Sequence, residues 1–265
     1  MSAITQIPIT KQAIARSFGD AAHSYDAVAG LQRAVGDKLL EKLPDLSCDH
    51  VLDLGCGTGH FMPRLAKKFP GASLLGMDLA EGMALHASRQ QESERLLWSC
   101  GDAESLPLVT DRLSLIFSSM ALQWCSDLAV VFSEAMRVLQ PGGILGFSIP
   151  GPQTLHELKT AWQKVDGYVH VNAFASAEEI LHMADLAGFK AQLCTEMRMV
   201  HYGRLGELTT ELKALGAHNI NSGRPTGLTG RSKIQALLAG YEPFRNEKDL
   251  LPATWQIYYL ILEKP

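Results

Sequence analysis

Three carboxylates, three closely spaced glycines and a group of late arginines are the residues of this chain with most chemistry to offer. The glycines lie in VLDLGCGTGHF (51–61), where Asp53 precedes Gly55, Gly57 and Gly59, with Cys56 between the first two. Glycines at this spacing let the chain turn tightly and let a ligand approach the backbone. A carboxylate ahead of them offers acceptors to a cationic or donor-rich ligand. The pyrophosphate fingerprint GxGxxG would need glycine at position 60, which is His60. Asp78, followed by Leu79, ends SLLGMD at a spacing from which a carboxylate can accept hydrogen bonds from both hydroxyls of a ribose. Asp102, in CGDAESLPL, can face an adenine amino group with Ala103 beside the ring, or can simply cap a turn. In SSMALQWCSD, Met120, Gln123 and Trp124 either cover a ligand or pack the core.

The arginines come later. Arg224 and Arg231 lie in a glycine-punctuated stretch, KALGAHNINSGRPTGLTGRSK (213–233), and Arg204 and Arg245 flank it. A guanidinium fork grips a carboxylate through two parallel hydrogen bonds. Arg204 follows the penultimate strand, whose end is expected near the glycine loop. It is therefore the first candidate for such a clamp, and Arg231 is the second. Residues 190–233 hold seven basic and three acidic residues, so this segment is net positive in a chain of formal charge −4. Near the N-terminus, Arg16, Phe18 and Tyr25 recur at near-helical spacing in IARSFGDAAHSYDAVA. They fit a helix closing over the ligand, and equally an amphipathic helix packing its aromatics on a sheet. His170, His201 and His218 form no metal-ligand pattern, and no metal is expected.

The elements that must position these groups alternate. HVLDL, SLLGMD, LLWSC, RLSLIFSS and GILGFSI read as buried strands, with helix-like segments between them. Such alternation implies a parallel sheet with helices on both faces. QPGG (140–143) reads as a helix stop. Two further helices are expected over 154–165 and 176–189, the second opened by a Ser176–Glu179 capping box. Two last strands cover 190–202 and 253–264. The roughly fifty residues between them far exceed a normal connection, so they are expected to form a substrate module.

Composition sets the class. With 46% hydrophobic and 20% charged residues, the chain is a globular protein with a full core. Its acidic balance argues against a general nucleic-acid binder, and no apolar run is long enough for a membrane helix. Five dispersed cysteines without a CxxC pair suit a reducing compartment. The N-terminus lacks the order of a secretory signal, so a cytoplasmic location is expected.

Taken in this order, the segments resemble the class I S-adenosylmethionine-dependent methyltransferases over about residues 48–150 and the terminal strand pair. The resemblance implies a Rossmann-like α/β fold: a seven-stranded, mostly parallel sheet with an antiparallel last strand. It also implies S-adenosylmethionine as cofactor. Gly55, Gly57 and Gly59 would then approach its methionine part, Asp78 would hold the ribose, Asp102 and Ala103 would meet the adenine, and Asp53, Cys56, Leu79 and Met120 would complete the cofactor site. The flanks KQAIARSFGDAAHSYDAVAGLQR, LKALGAHNINSGRPTGLTGR, YEPFR and LPATWQIYYLI are similar to the malonyl-[acyl-carrier protein] O-methyltransferases of biotin synthesis. This similarity spans nearly the whole chain. It implies esterification of the free carboxylate of a malonyl thioester on acyl-carrier protein. Arg204, Arg231 and Tyr25 would serve catalysis, and Phe18, Gln123, Trp124, Arg224 and Arg245 would surround the substrate. The basic 190–233 segment, Lys213 and Lys233 included, would face the acidic carrier. The implied organisation is one domain and a monomer, with a helical lid (1–45), a cofactor core (46–150) and a basic insert (201–252). Other readings stay open: a methyltransferase for a small acid such as trans-aconitate, a carbon-methylating quinone enzyme, a related assembly factor that modifies proteins, and a non-catalytic binding module.

Overall fold

A computed structural model describes residues 10–91, 93, 95–217 and 230–265. Five parallel strands are β1 (His50–Leu54), β2 (Ser73–Asp78), β3 (Leu96–Cys100), β4 (Leu113–Ser119) and β5 (Leu139–Pro150). β6 (Lys190–Tyr202) and β7 (Leu251–Glu263) complete one sheet in the order β3-β2-β1-β4-β5-β7-β6. β7 runs antiparallel to both neighbours. β1 and β4 are buried almost throughout, which is why they read as continuous apolar runs. From β1 the chain winds outward to β3, then returns to the other side of β1 as β4. The carboxyl ends of β1 and β4 therefore flank a topological switch point, where open α/β sheets hold ligands.

Two helices open the chain, α1 (Lys11–Val28) and α2 (Gly30–Lys42). α3 (Met62–Lys68), α4 (Glu81–Gln90) and α5 (Leu128–Val138) connect the parallel strands. α6 (His156–Gln163) and α7 (Ala177–Leu186) follow β5. One core cluster joins α2, α3 and α6 to the sheet; the other joins α5 and α7 to its opposite face. α7 begins with the expected capping box, Glu179 N–H on Ser176 Oγ and Ser176 N–H on Glu179 Oε2. QPGG does not form a loop after α5. The helix stops at Val138 and the chain enters β5 at once, with Gly142 turning at φ 76°.

Helices make up much of the described part of the long interval between β6 and β7. Its described residues include α8 (Leu205–Ala214) and α9 (Arg231–Tyr241). Leu205, Leu208, Leu212 and Leu215 recur on one stripe of α8, and Ile234, Leu237, Leu238 and Tyr241 on one stripe of α9. β6 and β7 pair along their whole length, from Lys190 with Glu263 to Tyr202 with Leu251. The excursion is thus closed by a complete antiparallel ladder. Residues 218–229, which include His218 and Arg224, lie outside the described residues.

Candidate active site

At the switch point, the three loop glycines are required for different reasons. All three have positive φ, 74° at Gly55, 53° at Gly57 and 79° at Gly59. A Cβ on Gly55 would lie 2.3 Å from the Ala121 Cβ, and one on Gly59 would lie 2.4 Å from the Trp98 ring. Those two positions are packing constraints. A Cβ on Gly57 would meet no atom and would project into open space. Gly57 lines a cavity of about 100 Å³ together with Gly55, Asp78, Leu79, Asp102, Ala103 and Met120. Asp78 Oδ2 accepts the Gly57 N–H at 2.9 Å and Oδ1 accepts the Ala80 N–H at 2.8 Å. Each oxygen keeps a lone pair for a further donor. Burial raises the Asp78 pKa, and the two backbone hydrogen bonds work against that rise.

Asp53, Cys56 and Gly59 line neither this cavity nor the larger one beside it. Asp53 is 1% exposed and its Oδ2 has no partner. Burial, then the neighbouring Asp78 charge, pushes its pKa up to about 8. Its carboxyl lies buried beneath the loop and in neither cavity, so the acceptors expected of it are not presented to the space that Gly57 and Asp78 line. Burial also drives the Cys56 thiol upward, and Cys56 packs as a core residue.

One cavity residue carried no sequence signal. Lys11, in the first turn of α1, reaches across to Asp102 Oδ2 at 2.5 Å and also pairs with Glu104. Asp102 Oδ1 accepts the Glu104 N–H at 3.0 Å. Asp102 thus caps its own turn and lines the cavity at once. Only the folded path of α1 brings Lys11 there.

Four residues, Phe18, Tyr25, Met120 and Trp124, line both this cavity and a second one of about 1030 Å³. Met120 holds φ at 52°, a costly conformation for a residue with a side chain. Its N–H lies 3.0 Å from the Ser148 carbonyl, and its own carbonyl accepts the Gln123 amide at 2.7 Å. Phe18 packs edge-on against Trp124, with ring centroids 5.2 Å apart. The Tyr25 phenol is raised well above its ordinary pKa by burial, then by Asp78 and Asp26, so it stays protonated and can donate.

The second cavity is walled by α6, α8, α9 and β7, with Leu158, Trp162, Leu205, Leu212, Leu237 and Trp255 among its apolar residues. Its cations are not equivalent. Arg204 lines it and makes no side-chain hydrogen bond or ion pair among the described residues. Arg204 does not stand beside the first cavity as expected, because β6 is the outermost strand and both β5 and β7 separate it from β4. Arg245 lines the cavity too, but Nε and Nη2 are spent on Glu242 at 2.5 and 3.1 Å, and Nη1 on the Asp249 carbonyl at 2.8 Å. The expected role of Arg245 as a free substrate ligand is corrected accordingly. Arg231 opens α9 on the surface and lines neither cavity, which removes the second clamp candidate from the site. Lys213 lines the second cavity. Lys233 instead pairs with Asp166 at 2.8 Å, over the Tyr168 ring. His170, stacked on Trp162 at 3.6 Å, shares that carboxylate at 2.7 Å. Burial raises the Asp166 pKa, but the hydrogen bonds from Lys233 and His170 prevail and hold it at about 2.

Known proteins share this architecture. Residues 52–147 match a methyltransferase-domain family model. The chain is 47% identical to the biotin biosynthesis bifunctional protein BioHC of Cellvibrio japonicus, over 97% of this chain and 51% of that protein. It is 39% identical to the malonyl-[acyl-carrier protein] O-methyltransferase of Hahella chejuensis, over 94% of this chain and 89% of that protein. The chain therefore spans about half the length of the bifunctional relatives and most of the length of the single-function one. The crystal structure of the [4+2]-cyclase SpnF superposes with a TM-score of 0.62 at 21% identity, over 98% of this chain and 99% of that one. That likeness concerns the fold alone, since one fold hosts many chemistries.

Proposed function

The chain belongs to the malonyl-[acyl-carrier protein] O-methyltransferase family, and from that premise we propose that it transfers a methyl group from S-adenosylmethionine to the free carboxylate of a malonyl thioester on acyl-carrier protein. The observation that carries the reading is the meeting of two cavities at Phe18, Tyr25, Met120 and Trp124. Such a junction lets a nucleophile in one cavity face an electrophile in the other.

The residues of the smaller cavity fit the cofactor. Gly57 has open space where a side chain would intrude, Asp78 retains acceptor capacity for ribose hydroxyls, and Asp102 and Ala103 stand one strand further for the adenine. At about 100 Å³ the space is smaller than the roughly 300–1,000 Å³ of small-molecule sites. α1 therefore acts as the lid, drawn down here by Lys11 and withdrawing to admit the cofactor. When bound, S-adenosylmethionine supplies an electrophilic methyl on a positively charged sulfur.

The protein's remaining task is placement. A carboxylate with a pKa of about 4 is already ionised near neutrality, so no general base is needed. Transfer of that methyl to one carboxylate oxygen would cancel the two charges and would require no proton to move, so the residues of the site need only hold the carboxylate in line. Phe18, Trp124 and Met120 exclude water, which strengthens the attraction between the reacting charges. The protonated Tyr25 offers a donor that orients the carboxylate. Arg204, Lys213 and Arg231, without side-chain partners among the described residues, supply a basic face for an acidic carrier.

The test is direct. Methyl-labelled S-adenosylmethionine incubated with malonyl-carrier protein should give a labelled, base-labile ester, and acetyl-carrier protein should give none. A base-stable product would sink the carboxylate assignment.

A further inference from the structure

The malonyl carboxylate and its neighbouring carbons fill only a small part of a cavity of about 1030 Å³. The remainder has a direction, set by α8. Its last turn is fastened to α1: Ser24 Oγ donates to the Ala214 carbonyl at 3.0 Å and Ser17 Oγ to the Gly216 carbonyl at 3.0 Å. Its first turn follows β6 at the edge of the sheet. Leu205, Thr209, Leu212 and Leu215 all line the cavity and lie on one stripe of the helix. α8 thus roofs the cavity from the junction outward. Ten residues of helix span roughly 15 Å, and the three strand spacings from β4 to β6 span roughly 14 Å.

On the reading of the reaction given above, we infer that Arg204 binds the anionic far end of the arm that carries the thioester, not the carboxylate that is methylated. An arm of two amides ending in a phosphodiester extends roughly 18–20 Å from acyl carboxylate to phosphorus, at the reach per bond of an extended peptide. With the acyl end at the junction, the phosphate arrives at or just beyond the outer end of α8, where Arg204, the N-cap residue, lines the cavity. A clamp on the reacting carboxylate would have to close the same roughly 14 Å from the sheet edge, which one arginine side chain does not span.

The local chemistry agrees. The guanidinium is planar and without a partner among the described residues, the form suited to phosphate. Beside the N-cap, Glu207 Oε2 accepts the Gly203 N–H at 3.0 Å and the Arg204 N–H at 3.4 Å, which uses the backbone donors there and leaves the guanidinium free among the described residues. Arg245, the other guanidinium in this wall, is neutralised by Glu242. Midway, Thr209 Oγ1 donates to the Gly206 carbonyl at 3.1 Å, which leaves its oxygen as an acceptor for an amide N–H of the arm.

The test uses the full chain and malonyl thioesters of three thiols: N-acetylcysteamine, pantetheine and 4′-phosphopantetheine. Binding is read by the fluorescence of the cavity tryptophans Trp124, Trp162 and Trp255, and methylation by ester formation. In the wild type, the phosphate should improve binding and kcat/KM roughly tenfold or more over the pantetheine thioester. In Arg204→Gln that preference should collapse to about one, with Arg204→Lys recovering part of it. An equal loss on all three thioesters, with the preference for phosphate intact, would overturn the inference and return Arg204 to the reacting carboxylate. A wild type with no preference for phosphate would overturn it as well. If no thioester is methylated, the proposed reaction fails, and the fluorescence titrations still decide the role of Arg204.

Discussion

Asp78 and Asp53 are both aspartates at the carboxyl ends of buried strands, and the structure gives them opposite tasks. Asp78 keeps acceptor capacity toward the cavity, so Asp78→Ala should lower S-adenosylmethionine affinity by about tenfold or more, the worth of one or two charge-assisted hydrogen bonds. Calorimetry would measure this, and unchanged affinity would remove Asp78 from the site. Asp53 acts through stability. Its folded pKa is about 8, above the ordinary carboxylate range, so between those limits the folded chain holds a proton that the unfolded chain has released. Its contribution therefore falls as pH rises through that window. Asp53→Asn should flatten the decline, raising denaturant stability more at about pH 8 than at about pH 5; an equal change at both would contradict the buried neutral acid. Spacing alone picked out Asp78 as a partner of the glycine loop, and in the fold it accepts the Gly57 N–H and lines the same cavity. It could not separate Asp53 from a ligand, nor find Lys11 or the Glu242 partner of Arg245. Those depend on burial and on long-range contacts that no local pattern encodes.

At the scale of elements, α1 is the strap across both cavities. It lies on α4 where Gly19 and Gly82 meet: a Cβ at Gly82 would stand 3.0 Å from the Gly19 Cα. Gly82→Val should lift α1 at a cost of about 1–3 kcal/mol. Hydrogen exchange in α1 should rise and cofactor affinity should fall. Gly30→Ala serves as the control, since its Cβ meets nothing and alanine favours the helix by about 0.5–1 kcal/mol. If both variants bind cofactor alike, α1 is not the lid. The parallel strands and their order of appearance were legible because buried strands read as apolar runs. α8 and α9 were not, because the glycine-rich, basic stretch between them masked two leucine stripes at helical period. The position of Arg204 was missed for a related reason. β6 follows β5 in sequence, yet β7 inserts between them and leaves β6 three places from β4 at the edge of the sheet.

Across the whole molecule, a net charge of −4 coexists with a net positive 190–233 segment. Part of that charge is neutralised internally, Arg198 by Glu196 and Lys233 by Asp166, so substituting Lys233 would disturb the start of α9 and not simply a solvated face. Arg231, exposed and outside both cavities, isolates the surface effect. Arg231→Glu should slow association with carrier protein a few-fold at about 0.1 M salt, and the deficit should shrink towards 1 M as the Debye length falls from about 10 Å to about 3 Å. A deficit that salt does not touch would point to a direct contact and away from steering. The most direct measurement sets the two carboxylate substrates against each other: intact-mass analysis after incubating the protein and S-adenosylmethionine with equal concentrations of malonyl-carrier protein and trans-aconitate. A site built for the carrier-bound malonyl group should leave the carrier protein heavier by one methyl group and the small acid unmodified. A methylated trans-aconitate beside an unchanged carrier protein would overturn the assignment of the substrate.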